Sequence, residues 1–193
     1  MIKTLYPEFR RWSEKGSVWL VSDTHFDDSN REYMGYTISS AEHAALLKDF
    51  CHRGDTLIHL GDVGNPEYLK NVKAYKVLIL GNHDKGPSYY EDCFNEIYDG
   101  PLFISKKILL SHEPMIGDCY FNIHGHSHDG SQGWPDESTH LNIAPNVFGY
   151  IPVNLKNIIE NGVLKDIPSI HRLAIEKQKE FASEKDYTER DSL

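Results

Sequence analysis

Short apolar runs that stop abruptly at a polar cluster recur five times along the chain. Val18-Trp19-Leu20-Val21 leads into Ser22-Asp23-Thr24-His25. Thr56-Leu57-Ile58-His59-Leu60 leads into Gly61-Asp62, and Lys76-Val77-Leu78-Ile79-Leu80 into Gly81-Asn82-His83-Asp84. Ile108-Leu109-Leu110 precedes Ser111-His112, and Tyr120-Phe121-Asn122-Ile123 precedes His124-Gly125-His126-Ser127-His128. Continuous apolar blocks of this length read as strands buried on both faces. Between them lie helical patterns. Residues 39–51 carry Ala41, Ala44, Ala45, Leu47 and Phe50, with Ser39 or Ser40 to cap them, and 66–72 opens on Pro66. Strands alternating with helices predict an α/β layered sheet, and ligands in such sheets bind beyond the carboxyl ends of the strands. All five polar clusters fall there.

The second half carries further β patterns: a hairpin around Pro101 over 97–107, and segments at 139–143 and 149–155. With the earlier runs they predict a second sheet packed on the first. Residues 169–181 place Ile170, Leu173, Ala174 and Phe181 among charges and read as a terminal helix. One domain over 1–183 is expected, followed by a frayed polar tail over 184–193. Residues 127–139, rich in Gly, Ser, Asp and Pro, are the expected mobile loop.

Composition narrows the function. The 193 residues are 39% hydrophobic and 25% charged, an ordinary globular balance able to bury a core. No stretch approaches the ~18 apolar residues of a membrane span. Glu8, Arg10 and Arg11 interrupt what a secretion signal needs, and three cysteines (Cys51, Cys93, Cys119) fit a reducing cytoplasm. The formal net charge of −9 argues against a long nucleic acid as partner. The count of 11 histidines directs attention to metal and acid–base chemistry.

Asp23 and His25 are two residues apart, so extended backbone points both to one side, where they can grip one cation. Gly61 lets the backbone approach closely, and the two oxygens of Asp62 can bridge two ions. Asn82 offers a neutral oxygen and His83 a proton. His126 and His128 repeat the two-residue spacing, with His124 just before. Taken singly, the Asp-x-His and Gly-Asp clusters are ordinary turns, and His112 is as readily a satisfied half-buried histidine as a ligand; a turn leaves His83 of the Asn-His-Asp cluster unexplained, and three histidines within five residues at 124–128 point to a metal without help. Taken jointly, five clusters at corresponding strand ends are not ordinary turns. Asp23, His25, Asp62, Asn82, His112, His126 and His128 form one constellation. Seven nitrogen and oxygen ligands exceed one four-coordinate ion and suit two ions sharing a carboxylate. Mn, Fe, Zn or Co fits such donors.

The series D-x-H, GD, GNHD, H and GHxH resembles the calcineurin-like metallophosphoesterases. Ser22-Asp23-Thr24-His25-Phe26 is most similar to small stand-alone bacterial or phage-type members. The resemblance spans Asp23 to His128. It implies a four-layer α/β/β/α sandwich of two mixed β-sheets flanked by helices, the metallo-dependent phosphatase fold. It implies one ion on Asp23, His25, Asp62 and His128, and the other on Asp62, Asn82, His112 and His126. The cofactor is then two divalent ions (Mn, Fe, Zn, Co or Ni), with Mn most active in vitro. A bridging hydroxide would attack a phosphodiester or small phosphomonoester, with His83 as general acid and Asp84 orienting it. Two dications outweigh the two carboxylates and the hydroxide, so the core favours an anionic ester.

The chain departs from the family pattern at two places. Asn65 stands where many members have an Asp, and Lys85 rather than Arg follows the GNHD motif, which lowers the odds of a phosphoprotein substrate. The expected partner is a small phosphorylated molecule, nucleotides included, entering between residues 26–39, 85–95 and 127–138. Two other readings compete. One is a non-catalytic scaffold on the same fold. The other is a metallo-β-lactamase-like hydrolase, whose H-x-H-x-D-H order is not that of His124–Asp129. Of the remaining histidines, His59 reads as structural and His124 as a support to the site. His43, His52 and His171 read as solvated, and His140 is a weak candidate for the site. Trp134 is the one tryptophan placed to stack on substrate.

Overall fold

The computed structural model describes residues 3–4, 6–128, 139–168 and 170–190. Two five-stranded mixed sheets are flanked by helices, a sandwich as expected. In the first sheet β2 (Val18–Val21), β3 (Thr56–His59), β4 (Tyr75–Ile79) and β5 (Glu96–Tyr98) run parallel. β10 (Val153–Asn154) lies antiparallel at its edge beside β2. The second sheet has the order β1 (Lys3–Thr4), β6 (Leu102–Ser105), β7 (Ile108–Leu110), β8 (Phe121–His124) and β9 (His140–Asn142). Only β6 and β7 pair antiparallel there.

Side chains alternate along each strand, and this assigns the layers. Leu20, Ile58, Val77 and Ile79 of the first sheet meet Leu102, Ile104, Ile108, Leu110, Phe121 and Ile123 of the second in one core. Trp12 from α1 (Tyr6–Lys15) and Leu155 and Ile158 from α4 (Leu155–Glu160) complete that core. The opposite positions of the first sheet, Val21, Leu57 and Leu78, pack with Leu47 of α2 (Ser40–Phe50). Ser39 caps α2: its side chain accepts from the Glu42 backbone, and Glu42 reaches back to the Ser39 N–H. Phe103, Leu109 and Tyr120 form a smaller cluster on the other face of the second sheet.

Several expectations change. The apolar segments either side of Pro101 do not form a hairpin: β5 pairs with β4 and β6 with β7, so the chain crosses between sheets at Asp99-Gly100-Pro101. The turn residues mark a crossing that pattern alone does not distinguish from a reversal. The hairpin is the next one, β6–β7. Within 149–155 only Val153–Asn154 is strand; α3 (Pro145–Phe148) precedes it and α4 follows. The segment after Pro66 is a 3₁₀ turn over Pro66–Leu69, capped by Asn65. The last helix, α5 (Ile170–Arg190), continues through 184–190, where a frayed tail was expected; no Gly or Pro interrupts it. The expected mobile loop lies outside the described residues from 129 to 138, Trp134 with it. No described helix is long and apolar enough to cross a membrane.

Candidate metal centre

The carboxyl ends of β2, β3 and β4 in one sheet, and of β7 and β8 in the other, converge. Each delivers one of the five polar clusters, and His112 spans the sheets: its Nδ1 lies 2.8 Å from the Leu60 carbonyl. All seven expected ligands come together as two overlapping sets. In the first, Asp23 Oδ1 lies 3.6 Å from His128 Nε2 and 4.0 Å from His25 Nε2, and His25 Nε2 lies 3.4 Å from Asp62 Oδ2. In the second, Asp62 Oδ2 lies 3.3 Å from His112 Nε2. Asn82 Oδ1 lies 2.8 Å from His112 Nε2 and 3.1 Å from His126 Nδ1, and those two nitrogens are 3.2 Å apart. Asp62 Oδ2 belongs to both sets.

These side chains fit divalent ions. Ligand atoms about 2.1 Å from one ion lie roughly 3–3.5 Å from one another; the pairs here lie 2.8–4.0 Å apart, around that range. Asp23 Oδ1 and His25 Nε2 are buried without a hydrogen-bond partner. Leaving such groups unpaired costs about 1–3 kcal/mol each, and a shared cation satisfies both. Asp23–His25–His128 and Asp23–Asp62–His112 each gather their ligand atoms within 4.8 Å. The outward ring nitrogens are engaged elsewhere: His112 Nδ1 by Leu60, His25 Nδ1 by Asp28 at 3.4 Å, and His128 Nδ1 by Asn146 Oδ1 at 3.2 Å. A proton on the outward nitrogen leaves the inward lone pair for a metal.

The backbone supports the same reading. Asp23, His25, Asp62 and His126 hold φ of 48°, 40°, 57° and 66°, in the left-handed region that L-residues other than Gly seldom adopt. Such strain costs about 1–3 kcal/mol per residue and collects at functional sites. Two residues of the 27–38 loop tie this backbone down. Arg31 donates to the Thr24 and His25 carbonyls, and Tyr36 Oη donates to the Asp23 carbonyl.

Two buried carboxylates draw positive charge. Burial pulls His112 down, but the Asp62 hydrogen bond and the Asp23 and Asp62 charges outweigh it and raise its pKa to about 9. Burial pushes Asp62 up, yet the bond to His112 and the backbone N–H of His83 hold it at about 2. Asp23 is raised by burial.

His83 is exposed. Its backbone N–H donates to Asp62 Oδ1 at 2.9 Å, and its ring stands 5.7 Å from the His25 ring. Asp84 has partners other than the expected His83 ring. Its carboxylate accepts from the backbone N–H of Asp62, Val63 and Gly81, each at 2.8 Å, and from Tyr90 Oη at 2.7 Å. It thus fastens the Asp62 loop to the Gly81 loop. Asn65 donates to Asp27 and caps the 3₁₀ turn. Sequence reasoning missed Arg31, Tyr36, Asp28 and Asn146. Asn146 sits on α3, a helix too short to show a period; the only cue was Pro145 before it.

His59 and His43 are fully buried. His59 Nδ1 accepts from the Gly61 N–H at 3.2 Å; its Nε2 meets Thr24 Oγ1, which donates to the Val63 carbonyl. Only neutral imidazole fits this set, and burial pushes its pKa to about 3. His43 was expected to be solvated; it is fully buried between Phe26 and Tyr150, and burial, then the Arg31 charge, lowers it to about 4. α2 turns it inward because Ser40, His43 and Leu47 share its buried face. Both pKa values lie below the ordinary ~6.5, so the unfolded chain binds more protons in between. The contribution of these two histidines to stability is therefore complete above pH 6.5 and falls as pH drops, by about 3 kcal/mol per histidine toward pH 4. Urea midpoints of metal-free protein should fall steadily from pH 7 to pH 4.5; a flat profile contradicts the assignment.

Comparison with known proteins adds the following. No family model matches the chain, and no curated protein matches it. A solved protein of unknown function from Aquifex aeolicus is similar with a TM-score of 0.60 and 26% identity, over 75% of this chain and 98% of that one. The Pseudomonas putida nuclease MPE aligns with a TM-score of 0.42 and 22% identity, over 60% of this chain and 62% of that one. The chain is a mixed α/β sandwich whose strand ends gather Asp and His residues able to bind a metal.

Proposed function

We propose that the protein is a metal-dependent phosphoester hydrolase of the calcineurin-like metallophosphoesterase type, binding two divalent ions. The observation that carries the reading is Asp62 Oδ2 lying 3.4 Å from His25 Nε2 and 3.3 Å from His112 Nε2, next to the Asp23–His25–His128 cluster. The ligand residues follow the order D-x-H, GD, GNHD, H and GHxH. Asp23, His25, Asp62 and His128 would hold one ion; Asp62, Asn82, His112 and His126 would hold the other. Divalent ions there supply hydroxide near neutral pH and offset the charge of the phosphoryl oxygens. The chain's own part is to fix that geometry with strained, tethered backbone and to present His83 at the rim. An exposed imidazole beside the ligand sets can give its Nε2 or Nδ1 proton to the departing oxygen. A small phosphodiester or phosphomonoester, nucleotides included, suits a site carried by a chain of net charge −9 better than a long nucleic acid does.

The test compares bis-p-nitrophenyl phosphate with p-nitrophenyl phosphate on metal-stripped and Mn²⁺-reloaded protein. Turnover that returns only with metal supports the reading, and the preferred ester separates diesterase from monoesterase. No turnover of either ester by loaded protein opposes it. His83→Ala should keep its metal content and lose on the order of 10²–10⁴-fold in turnover of an ester with a poor leaving group. Unchanged turnover removes His83 from that role.

A further inference from the structure

A cleft of about 400 Å³ opens beside Asn82 and His112, on the side of the second ligand set. That volume suits a small organic group. Its walls come from two loops at the same end of the sandwich: Asp99-Gly100-Pro101, where the chain crosses between sheets, and the loop after β7 with Glu113 and Met115. Leu80, Pro101 and Met115 give it half-buried apolar surface. Asp99 and Glu113 stand exposed at its edge. Among the described residues neither carboxylate has a hydrogen-bond or ion-pair partner.

The Met115 wall is held in place. Asn122, fully buried on β8, accepts from the Met115 N–H at 2.7 Å. His140, buried on β9, places Nε2 2.8 Å from the Met115 carbonyl. Ser111 Oγ donates to the Glu113 carbonyl at 2.6 Å. Two buried polar side chains of the second sheet are thus committed to one surface loop, which gives the cleft a fixed shape without metal. His140 was a weak candidate for the site; it supports the cleft wall instead.

We propose that this cleft seats the organic arm of the substrate, and that Asp99 and Glu113 make it choose an arm that is uncharged or bears an amine over one carrying a second negative charge. The inference rests on the phosphoester hydrolase reading, since Asn82 and His112 border both the cleft and the ligand sets. The scissile phosphate sits by the ligands, its arm lies against Leu80, Pro101 and Met115, and the two carboxylates face what the arm carries. A further phosphate or carboxylate there meets like charge; an ammonium meets opposite charge.

The test uses three diesters with one leaving group, p-nitrophenol, and arms of choline, ethanol and 3-hydroxypropionate. With Mn²⁺-loaded protein, the choline and ethyl diesters should exceed the carboxylate-bearing one by about tenfold in kcat/KM, as two nearby like charges in a partly solvated cleft imply. Asp99→Asn/Glu113→Gln should narrow that gap to about twofold at unchanged metal content. Equal rates for all three arms, or a gap that survives the double substitution, overturn the proposal. Should loaded protein turn over none of them, the diesterase form of the hydrolase reading fails and the cleft is judged by binding. The chain has three methionines, so the Met115 methyl signal is readily followed by ¹³C NMR. Ethyl p-nitrophenyl phosphate should shift it at concentrations where the carboxylate analogue does not; no shift with either overturns the cleft assignment.

Discussion

Asp62→Asn is expected to empty both metal positions and to lower phosphodiester turnover by on the order of a thousandfold. One oxygen of Asp62 serves both ligand sets, 3.4 Å from His25 Nε2 and 3.3 Å from His112 Nε2. Its other oxygen accepts from the His83 N–H at 2.9 Å. Asn fills the same space, so the fold should persist, but one of two buried negative charges is lost. Keeping its oxygen on the His83 N–H turns the new NH₂ toward His25 and His112, where it ligates nothing. Isothermal titration with Mn²⁺ and the diester assay measure the two effects, and circular dichroism checks the fold. A variant that still binds two ions would remove Asp62 from the bridging role.

Gly125→Ala tests the same centre with one chemically inert methyl. A Cβ at Gly125 would overlap the Ser22 hydroxyl and the Asp23 carboxylate. The backbone has little room to yield. The Gly125 N–H donates to the His112 carbonyl at 3.0 Å, the His126 N–H to Asp23 Oδ2 at 2.9 Å, and the Ile143 N–H to the His124 carbonyl at 2.8 Å. The expected cost is about 3 kcal/mol in urea denaturation, with weaker metal binding, because the methyl displaces Asp23. Gly86→Ala is the control: nothing lies within 4 Å of a Cβ there, and its effect should stay within about 0.5 kcal/mol. Equal behaviour of the two variants would mean that the loop carrying His126 and His128 does not pack on Asp23.

The candidate site was legible in the sequence because each of its polar clusters follows a buried strand, and buried strands are the plainest pattern a chain carries. β2 and β7 begin and end where their apolar runs do. Parallel pairing then brings β2, β3 and β4 side by side in register, so Asp23, Asp62 and Asn82, successively 39 and 20 residues apart, end at one place. What sequence did not show is which sheet each run joins. A strand pattern states that a segment is buried and extended, not what it pairs with, so the crossing at Pro101 looked like a reversal. α1, with Phe9 and Trp12 packed on the core, and α3, with a single turn, offer too few apolar positions to show a period. Asp84 was placed with His83 because the two are neighbours in sequence. Its actual partners are backbone N–H groups, which no side-chain motif records. Arg31 and Tyr36 escaped for the same reason, acting on carbonyls of the Asp23–His25 backbone.

The central claim is that the strand ends form a two-ion centre. Counting ions per chain tests it most directly: protein stripped with chelator, dialysed against a small excess of Mn²⁺ and analysed by elemental mass spectrometry. Two ions per chain, falling together in Asp62→Asn, is the result the account predicts. Protein that retains no ion, or Asp62→Asn that retains as many as the parent, would contradict it.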